Sequence, residues 1–479
     1  MKRVRRGKPG RKRVRIGAPD PSLTATSGVV ALAEFLDKLK VVDEFDRGIG
    51  SIKKRVRGVS SGELLVGLAQ SQLLGGEALV ALDRQRQDVA AGELSAVPGI
   101  ASTTAGALAR RFGAAQLVGV ETATAGLAGR AFELLSARRK VHLCGRATLD
   151  LDSTDVEVYG SRKQGVAYNY AGQRAGRPHL ATWAEAGLTT AAELLAGNDD
   201  VRPRAAAMLR RGLAGIPASV RAKAAAADRL RVRADAGYFT ATLAEAAVEE
   251  HCDFAVAAKR NTAMWRAYAS IGEAEWADAR GMPGAQVAAV DYAPAGWPEA
   301  TYTIVRRVRV EAEAISADPR SRRRRTIDPG QLALALEGTA THAYAVSFIV
   351  TNVPANNAGA KGETILDVEA WFRRRTDIED RIREAKLGAA LRHLPSGDKN
   401  VNTVWMWAAL LAGNLSVLLQ ALTGIDENGR AHAARLRHEL LCVPARLVRH
   451  GRTLTLRLPP GEQLLPTVLA RIRQLNPAA

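Results

Sequence analysis

The spacing of apolar positions changes period along the chain. Between residues 25 and 138 they recur every three to four residues, clearest at Ser27–Leu39, Ser61–Leu74 and Thr103–Phe112, and predict a separate helical domain. Ser102-Thr103-Thr104 ahead of Ala105–Arg111 reads as an N-cap followed by paired arginines. That pattern suits an ordinary capped helix and also the recognition helix of a helix-turn-helix unit. From Arg146 the texture turns to β. Ala147–Asp152, Gly165–Tyr170, His179–Glu185 and Thr189–Leu195 are short runs divided by glycines and predict meandering antiparallel strands. Helices at 202–214 and 218–226 follow, then the strand Leu230–Asp235, the turn Ala236-Gly237, a helix to Glu250 and the strand Asp253–Ala258. From Asn261 to Thr339 prolines and glycines interrupt the pattern, with strands expected at Gln286–Tyr292 and Thr301–Val310 and a basic loop at Arg320 and Arg322–Arg325. The strand Ala343–Thr351 restores the core pattern and leads into a charged helix around Glu379 and an apolar helix, Thr403–Leu422. The tail from Ala431 predicts a helix, a strand at Thr453–Leu458 and a last helix.

Charge narrows what such a chain can bind. Its 479 residues, expected to form two to four domains, include 68 Lys or Arg against 49 Asp or Glu, a net charge of +19. That balance points to a polyanion, nucleic acid first. An anionic membrane surface is the weaker reading, because the basic residues are spread widely with no long amphipathic anchor beside them. The uncharged run Val401–Ile425 is long enough to span a bilayer, yet Asn402, Asn414, Ser416 and Gln420 interrupt it, so a buried core helix is expected. Met1–Arg15 holds nine Lys or Arg with no apolar run behind them and reads as a disordered basic arm, not a secretory signal. Cys144, Cys252 and Cys442 lack metal-ligand spacing and fit a reducing cytoplasm. The histidines show no ligand spacing either.

The candidate chemistry is carboxylate chemistry. On one helix at about 100° per residue, Phe372, Arg375, Glu379 and Lys386 fall within an arc of roughly 60°. Glu379 borders the apolar stripe of Trp371, Ile378, Ile382 and Ala385 and is expected to aim inward, with Asp377, Asp380 and Glu384 on the wet side. Upstream, strand alternation places Asp150 and Asp152 on one face, Asp155 follows, and Asp235 closes its strand at the carboxyl end, where α/β sites gather. A solvated strand end or turn cap accounts for any one of these acids alone. Together, acids from three elements suit phosphodiester cleavage by two Mg²⁺ ions about 3.5–4 Å apart, since magnesium takes a few carboxylates plus waters and phosphate oxygens. Asp152, Asp235 and Glu379 meet that need, with Asp150 and Asp155 open as alternatives to Asp152.

Asp152-Ser153-Thr154, Arg233-Ala234-Asp235-Ala236-Gly237-Tyr238 and the spacing of Phe372, Arg375, Glu379 and Lys386 together resemble the DDE transposases of bacterial insertion sequences. The likeness is to the subgroup marked by Tyr-x2-Arg-x3-Glu-x6-Lys, with Phe372 in the tyrosine's place, and spans roughly residues 30–460. It implies an α/β fold with a ribonuclease H-like mixed sheet flanked by helices, a β-rich insertion and an N-terminal helical DNA-binding domain. The division expected is a basic arm (1–24), the helical domain (25–140), the core in two parts (141–260 and 341–428) around the insertion (261–340), and a small C-terminal region (429–479). The resemblance selects Asp152 as first catalytic acid, beside Asp235 and Glu379, and likens Arg375 and Lys386 to residues that grip phosphates near the cut. It implies two Mg²⁺ ions, with Mn²⁺ as substitute, and double-stranded DNA, transposon ends and target, as partner. It further implies a homodimer on that DNA in the cytoplasm of a bacterium, at the nucleoid, with no membrane. The reaction implied is metal-dependent hydrolysis at terminal inverted repeats, then joining of the 3′-hydroxyl ends to target DNA. The rival readings are a non-catalytic DNA-binding regulator of the element and a ribonuclease H-like nuclease without strand transfer. Relatives stack an insertion aromatic on a displaced base; Trp265, Trp276 and Trp297 are placed for that, although packing is the plainer role of each.

Overall fold

The computed structural model describes residues 14–54, 57–356, 362–425 and 432–476. Residues 1–13 of the expected basic arm therefore lie outside the described residues. The N-terminal region is helical, as its apolar spacing predicts: α1 (Val29–Lys38), α2 (Val41–Ile49), α3 (Ser61–Leu73) and α4 (Ala114–Leu134), with shorter helices between α3 and α4. Ser60 and Glu63 form a reciprocal capping box that starts α3. Ser102 does not cap its own helix. Its N–H and hydroxyl both bond Asp83, so an acid from a neighbouring helix supplies the cap. Helices α2 and α4 touch at Gly48 and Gly119, where a Cβ on Gly119 would stand 2.2 Å from the Gly48 carbonyl oxygen. G119A should therefore cost about 1–3 kcal/mol in urea denaturation. G92A meets nothing within 4 Å inside its helix and should be neutral or stabilising.

The central sheet begins at β1 (Ala147–Ser153), which pairs antiparallel with β2 (Arg174–Trp183), itself antiparallel to β3 (Leu188–Ala196). On its other edge β1 runs parallel to β4 (Leu230–Ala234), and β4 parallel to β5 (Asp253–Ala257). The order is β3-β2-β1-β4-β5. The residues expected to form an insertion carry β6 (Ala285–Val290) and β7 (Tyr302–Glu311), which extend this same sheet through β8 (His342–Thr351), antiparallel to β5. Two strand limits differ from expectation. The run at Gly165–Tyr170 pairs only over Ala167–Tyr168, and β2 starts at Arg174, before Pro178. Pro178 is tolerated because its carbonyl accepts from Thr154 N, so its ring nitrogen faces the point where β1 has ended and no ladder bond is lost.

Helix α5 (Ala205–Ala214) lies tight on the sheet, because Gly212 meets Leu149 and Ala181 where a side chain would clash. After α6 (Ala241–Glu249) and the insertion come α7 (Ile365–Arg373), α8 (Asp377–Arg383), α9 (Lys399–Thr423) and α10 (Leu464–Gln474). Helix α9 is apolar and long enough to cross a membrane, and 83% of its most apolar window is buried inside the chain. Its polar residues are satisfied there: Asn414 exchanges two 2.9 Å bonds with the Thr189 backbone, and Gln72 of α3 donates to the Trp405 carbonyl. One cluster of buried apolar residues runs from Ala31 to Ile472, so the helical region shares its core with the sheet. In the tail, Ala445–His450 pairs with Thr453–Arg457 on one side and with Leu23–Thr24 on the other, which brings the two ends of the described chain together.

Candidate active site

Parallel pairing of β1 with β4 aligns Leu151 with Ala234, so Asp152 and Asp235 leave adjacent strands at the same sheet edge. Asp152 accepts from Ser153 N at 2.7 Å, and Asp235 from Gly237 N at 2.9 Å across the turn that ends its strand. The third acid arrives from α8. Arg375 lies between, with Nη1 3.3 Å from Asp152 and Nη2 3.6 Å from Glu379. One cation thus bridges the strand acid and the helix acid. Asp152 is raised to about 6, first by burial, with Arg375 opposing and the charges of Asp235 and Glu379 adding to the rise. Asp235 and Glu379 therefore both act on Asp152, whose charge Arg375 only partly offsets.

The alternatives to Asp152 are engaged elsewhere. Asp150 is fully buried and takes two bonds from Arg233, at 2.6 and 2.8 Å. Arg233 also lies 5.2 Å over the Trp371 ring and donates to the Trp371 carbonyl, while Trp371 Nε1 donates to Thr148 at 3.1 Å. This buried knot ties the end of α7 to β1 and β4 and so aims the residues that follow. Asp155 is held by Arg177 at 2.8 Å and by Asn169 at 2.8 Å. Sequence reasoning missed the knot, although Arg231 and Arg233 on one face of a buried strand were a readable sign of buried partners.

The charged segment is not the single helix expected. A 3₁₀ turn at Arg374–Thr376 separates α7 from α8, and a π turn at Glu384–Gly388 follows, so a constant 100° step does not hold. Lys386 stands in the π turn and donates to Thr154 Oγ1 at 2.7 Å and to the Asp155 carbonyl at 2.8 Å, with burial lowering its pKa. It pins the loop that leaves Asp152. The expected inward and outward acids also differ. Glu379 is 59% exposed, whereas Glu384 is 17% exposed and accepts from His432 Nδ1 and Ala433 N. The C-terminal segment covers a side of the helix that local periodicity marks as wet. Phe372 packs at the edge of the apolar cluster of Val287, Ile304 and Val368. Trp265 packs edge-on to Phe348, Trp276 lies beneath Arg307 at 4.1 Å, and Trp297 rests against Phe239 and Phe254.

Among the described residues no three His, Cys, Asp or Glu side chains are already gathered closely enough to hold an ion. The donor set nonetheless suits a hard divalent cation. It is all carboxylate, its charge is under-compensated at Asp152, and exposed Glu379 is free of packing that would stop it closing. Burial likewise lifts Asp150 and Asp253 to about 6. An acid whose folded pKa exceeds its unfolded value contributes most stability below the unfolded value of 3.8 and loses it as pH rises to about 6. The metal-free protein should accordingly take up protons on folding in that window. Urea midpoints followed from pH 4 to 6 should show a shallower loss for D152N than for wild type; equal slopes would contradict the raised Asp152.

Acids at the ends of two adjacent parallel strands, one of them bridged by an arginine to an acid on a helix, sit on a mixed α/β sheet flanked by helices and define a carboxylate-centred α/β protein. The chain belongs to the family described as transposase DDE domain group 1, whose model matches residues 7–320 and 332–477. Among solved structures it is similar to a piggyBac transposase synaptic complex with hairpin DNA, seen by cryo-EM, at 10% identity and a TM-score of 0.40 over 87% of this chain and 79% of that one. No curated protein matches the chain significantly.

Proposed function

We propose that this chain is the DNA transposase of a bacterial insertion sequence, which cuts the element's ends at its terminal inverted repeats and joins the 3′-hydroxyls to target DNA. The observation that carries the reading is that Asp152 and Asp235 close adjacent parallel strands while Arg375 links Asp152 to Glu379, within a family of DDE transposase domains. The order β3-β2-β1-β4-β5, with β2 antiparallel and β4 and β5 parallel to β1, supports a ribonuclease H-like core. Asp152, Asp235 and Glu379 would hold Mg²⁺, or Mn²⁺ in its place. The bound ions would supply an activated water and charge compensation at the cut phosphate.

The residues of the chain have distinct tasks in this scheme. Asp152 and Asp235 set the fixed side of the site, since both are anchored at strand ends by backbone N–H groups. Glu379 would be the ligand that completes the site from the helix side. Arg375 then exchanges its carboxylate partners for phosphate oxygens, as a guanidinium can with either. Lys386 fixes the Thr154–Asp155 loop and with it the position of Asp152. The helical N-terminal region and its basic arm would bind the ends, and a homodimer would hold two of them, on double-stranded DNA at the nucleoid.

Incubating the protein with labelled DNA from the flanks of its coding region tests this. Mg²⁺-dependent nicks at repeat ends, followed by joined products, are expected. A shifted but uncut probe would identify a regulator, and cutting without joining a nuclease.

A further inference from the structure

The strongly exposed Phe, Tyr and Trp rings among the described residues all lie in the connection from β1 to β2, which carries a short hairpin at 167–175. Tyr159, Tyr168 and Tyr170 are 82%, 68% and 92% exposed, and all three sit in the connection from β1 to β2 that starts just after Asp152. Aromatic rings left in water and gathered in one short segment mark a contact surface. The segment is also cationic. From Val158 to Arg174 it carries Arg162, Lys163 and Arg174 and no acid; Glu157, just outside, faces the Tyr159 hydroxyl. Lys163 Nζ donates to the carbonyls of Leu394 and Ser396, and Arg174 to those of Gly160 and Lys163. Carbonyls fix these side chains in place and leave their positive charge uncancelled.

The hairpin is tied to the acid site. Asn169, between two of the tyrosines, accepts from Ala171 N and Gln173 N and donates to Asp155 Oδ2 at 2.8 Å. Asp155 is gripped by Arg177, and its carbonyl receives Lys386. Tyr168 and Tyr170 are thus linked through Asn169 and Asp155 to the loop that leaves Asp152.

We propose that Tyr159, Tyr168 and Tyr170 form a stacking surface for unpaired nucleotides of a DNA strand leaving the Asp152, Asp235 and Glu379 site. The proposal rests on the transposase reading above. Rings stack on any base, and cations beside them follow the phosphates, the combination that holds single strands without sequence preference. A second copy of the chain is the other occupant an exposed apolar cluster suits. The uncancelled charge of the hairpin, in a chain of net charge +19, favours a polyanion over that copy.

Fluorescence anisotropy of the full-length protein in chelator, on a labelled duplex and on the same duplex with an oligo-dT overhang, tests this. Wild type should prefer the overhang. Y168A/Y170A should lose about tenfold or more of overhang affinity with duplex affinity unchanged, Y159A should lose part of it, and Y168F/Y170F should retain it. Equal overhang affinities for wild type and both alanine variants would overturn the proposal. So would a change in sedimentation for Y168A/Y170A with DNA binding intact, which would make the hairpin a protomer contact. Nicking by wild type in Mg²⁺, run alongside, separates the two readings: cutting without overhang preference sinks the hairpin alone, and overhang preference without cutting sinks the transposase.

Discussion

D152N, D235N and E379Q are each expected to lower Mg²⁺-dependent nicking of transposon-end DNA by roughly a thousandfold or more, while the affinity for uncut ends stays within a few-fold of wild type. Each exchange keeps the side chain's size and removes the charge that a divalent ion needs. Asp152 and Asp235 are anchored at strand ends by Ser153 N and Gly237 N, and an amide oxygen can keep those bonds, so the fold should survive. E379Q is the sharpest of the three, because Glu379 is exposed and, among the described residues, its one ion pair is the 3.6 Å contact with Arg375. Its loss should leave thermal stability unchanged, so a fall in nicking can be read as chemistry alone. D150N is the paired control: it should act through stability and not through the nicking rate of the folded fraction.

R233M is expected to cost about 3–5 kcal/mol in urea denaturation, because it leaves the Asp150 carboxyl in the interior without its partner, to be neutralised by a proton and left with unmade hydrogen bonds. The Asp150–Arg233 pair is shielded from water on both sides, and Arg233 has a third task at the Trp371 carbonyl. Replacing both partners, as in D150L/R233M, should recover much of the loss, since neither charge then has to be desolvated. If R233M alone were as stable as wild type, the knot would not be what holds α7 against β1 and β4. Because that knot aims the segment carrying Arg375 and Glu379, a partly folded R233M should also nick poorly.

Much of the site was legible where chemistry is local. Asp235 at a strand end before a glycine turn follows from alternation and turn residues, whereas alternation leaves Asp150 and Asp152 on one face and Asp152 is singled out by the family resemblance. Local pattern could not decide the contest among Asp150, Asp152 and Asp155, because its outcome depends on Arg233, Asn169 and Arg177, partners that are remote in sequence or on another strand. Periodicity placed the buried stripe of Ile378, Ile382 and Ala385 correctly. It misjudged Glu384, which the C-terminal residues His432 and Ala433 shelter, and it could not register a 3₁₀ and a π turn inside an otherwise helical pattern. The extension of one sheet through β8, β7 and β6 was likewise out of reach, since strand neighbours are set by register and not by composition.

The account stands on three carboxylates sharing a divalent ion. A structure of the protein with Mn²⁺ and a transposon-end DNA, phased to show the anomalous signal of manganese, tests that most directly. The expected result is manganese in contact with Asp152, Asp235 and Glu379, with Arg375 turned to a phosphate. Manganese bound elsewhere, with Glu379 still in solvent and the DNA backbone away from Asp152 and Asp235, would contradict it.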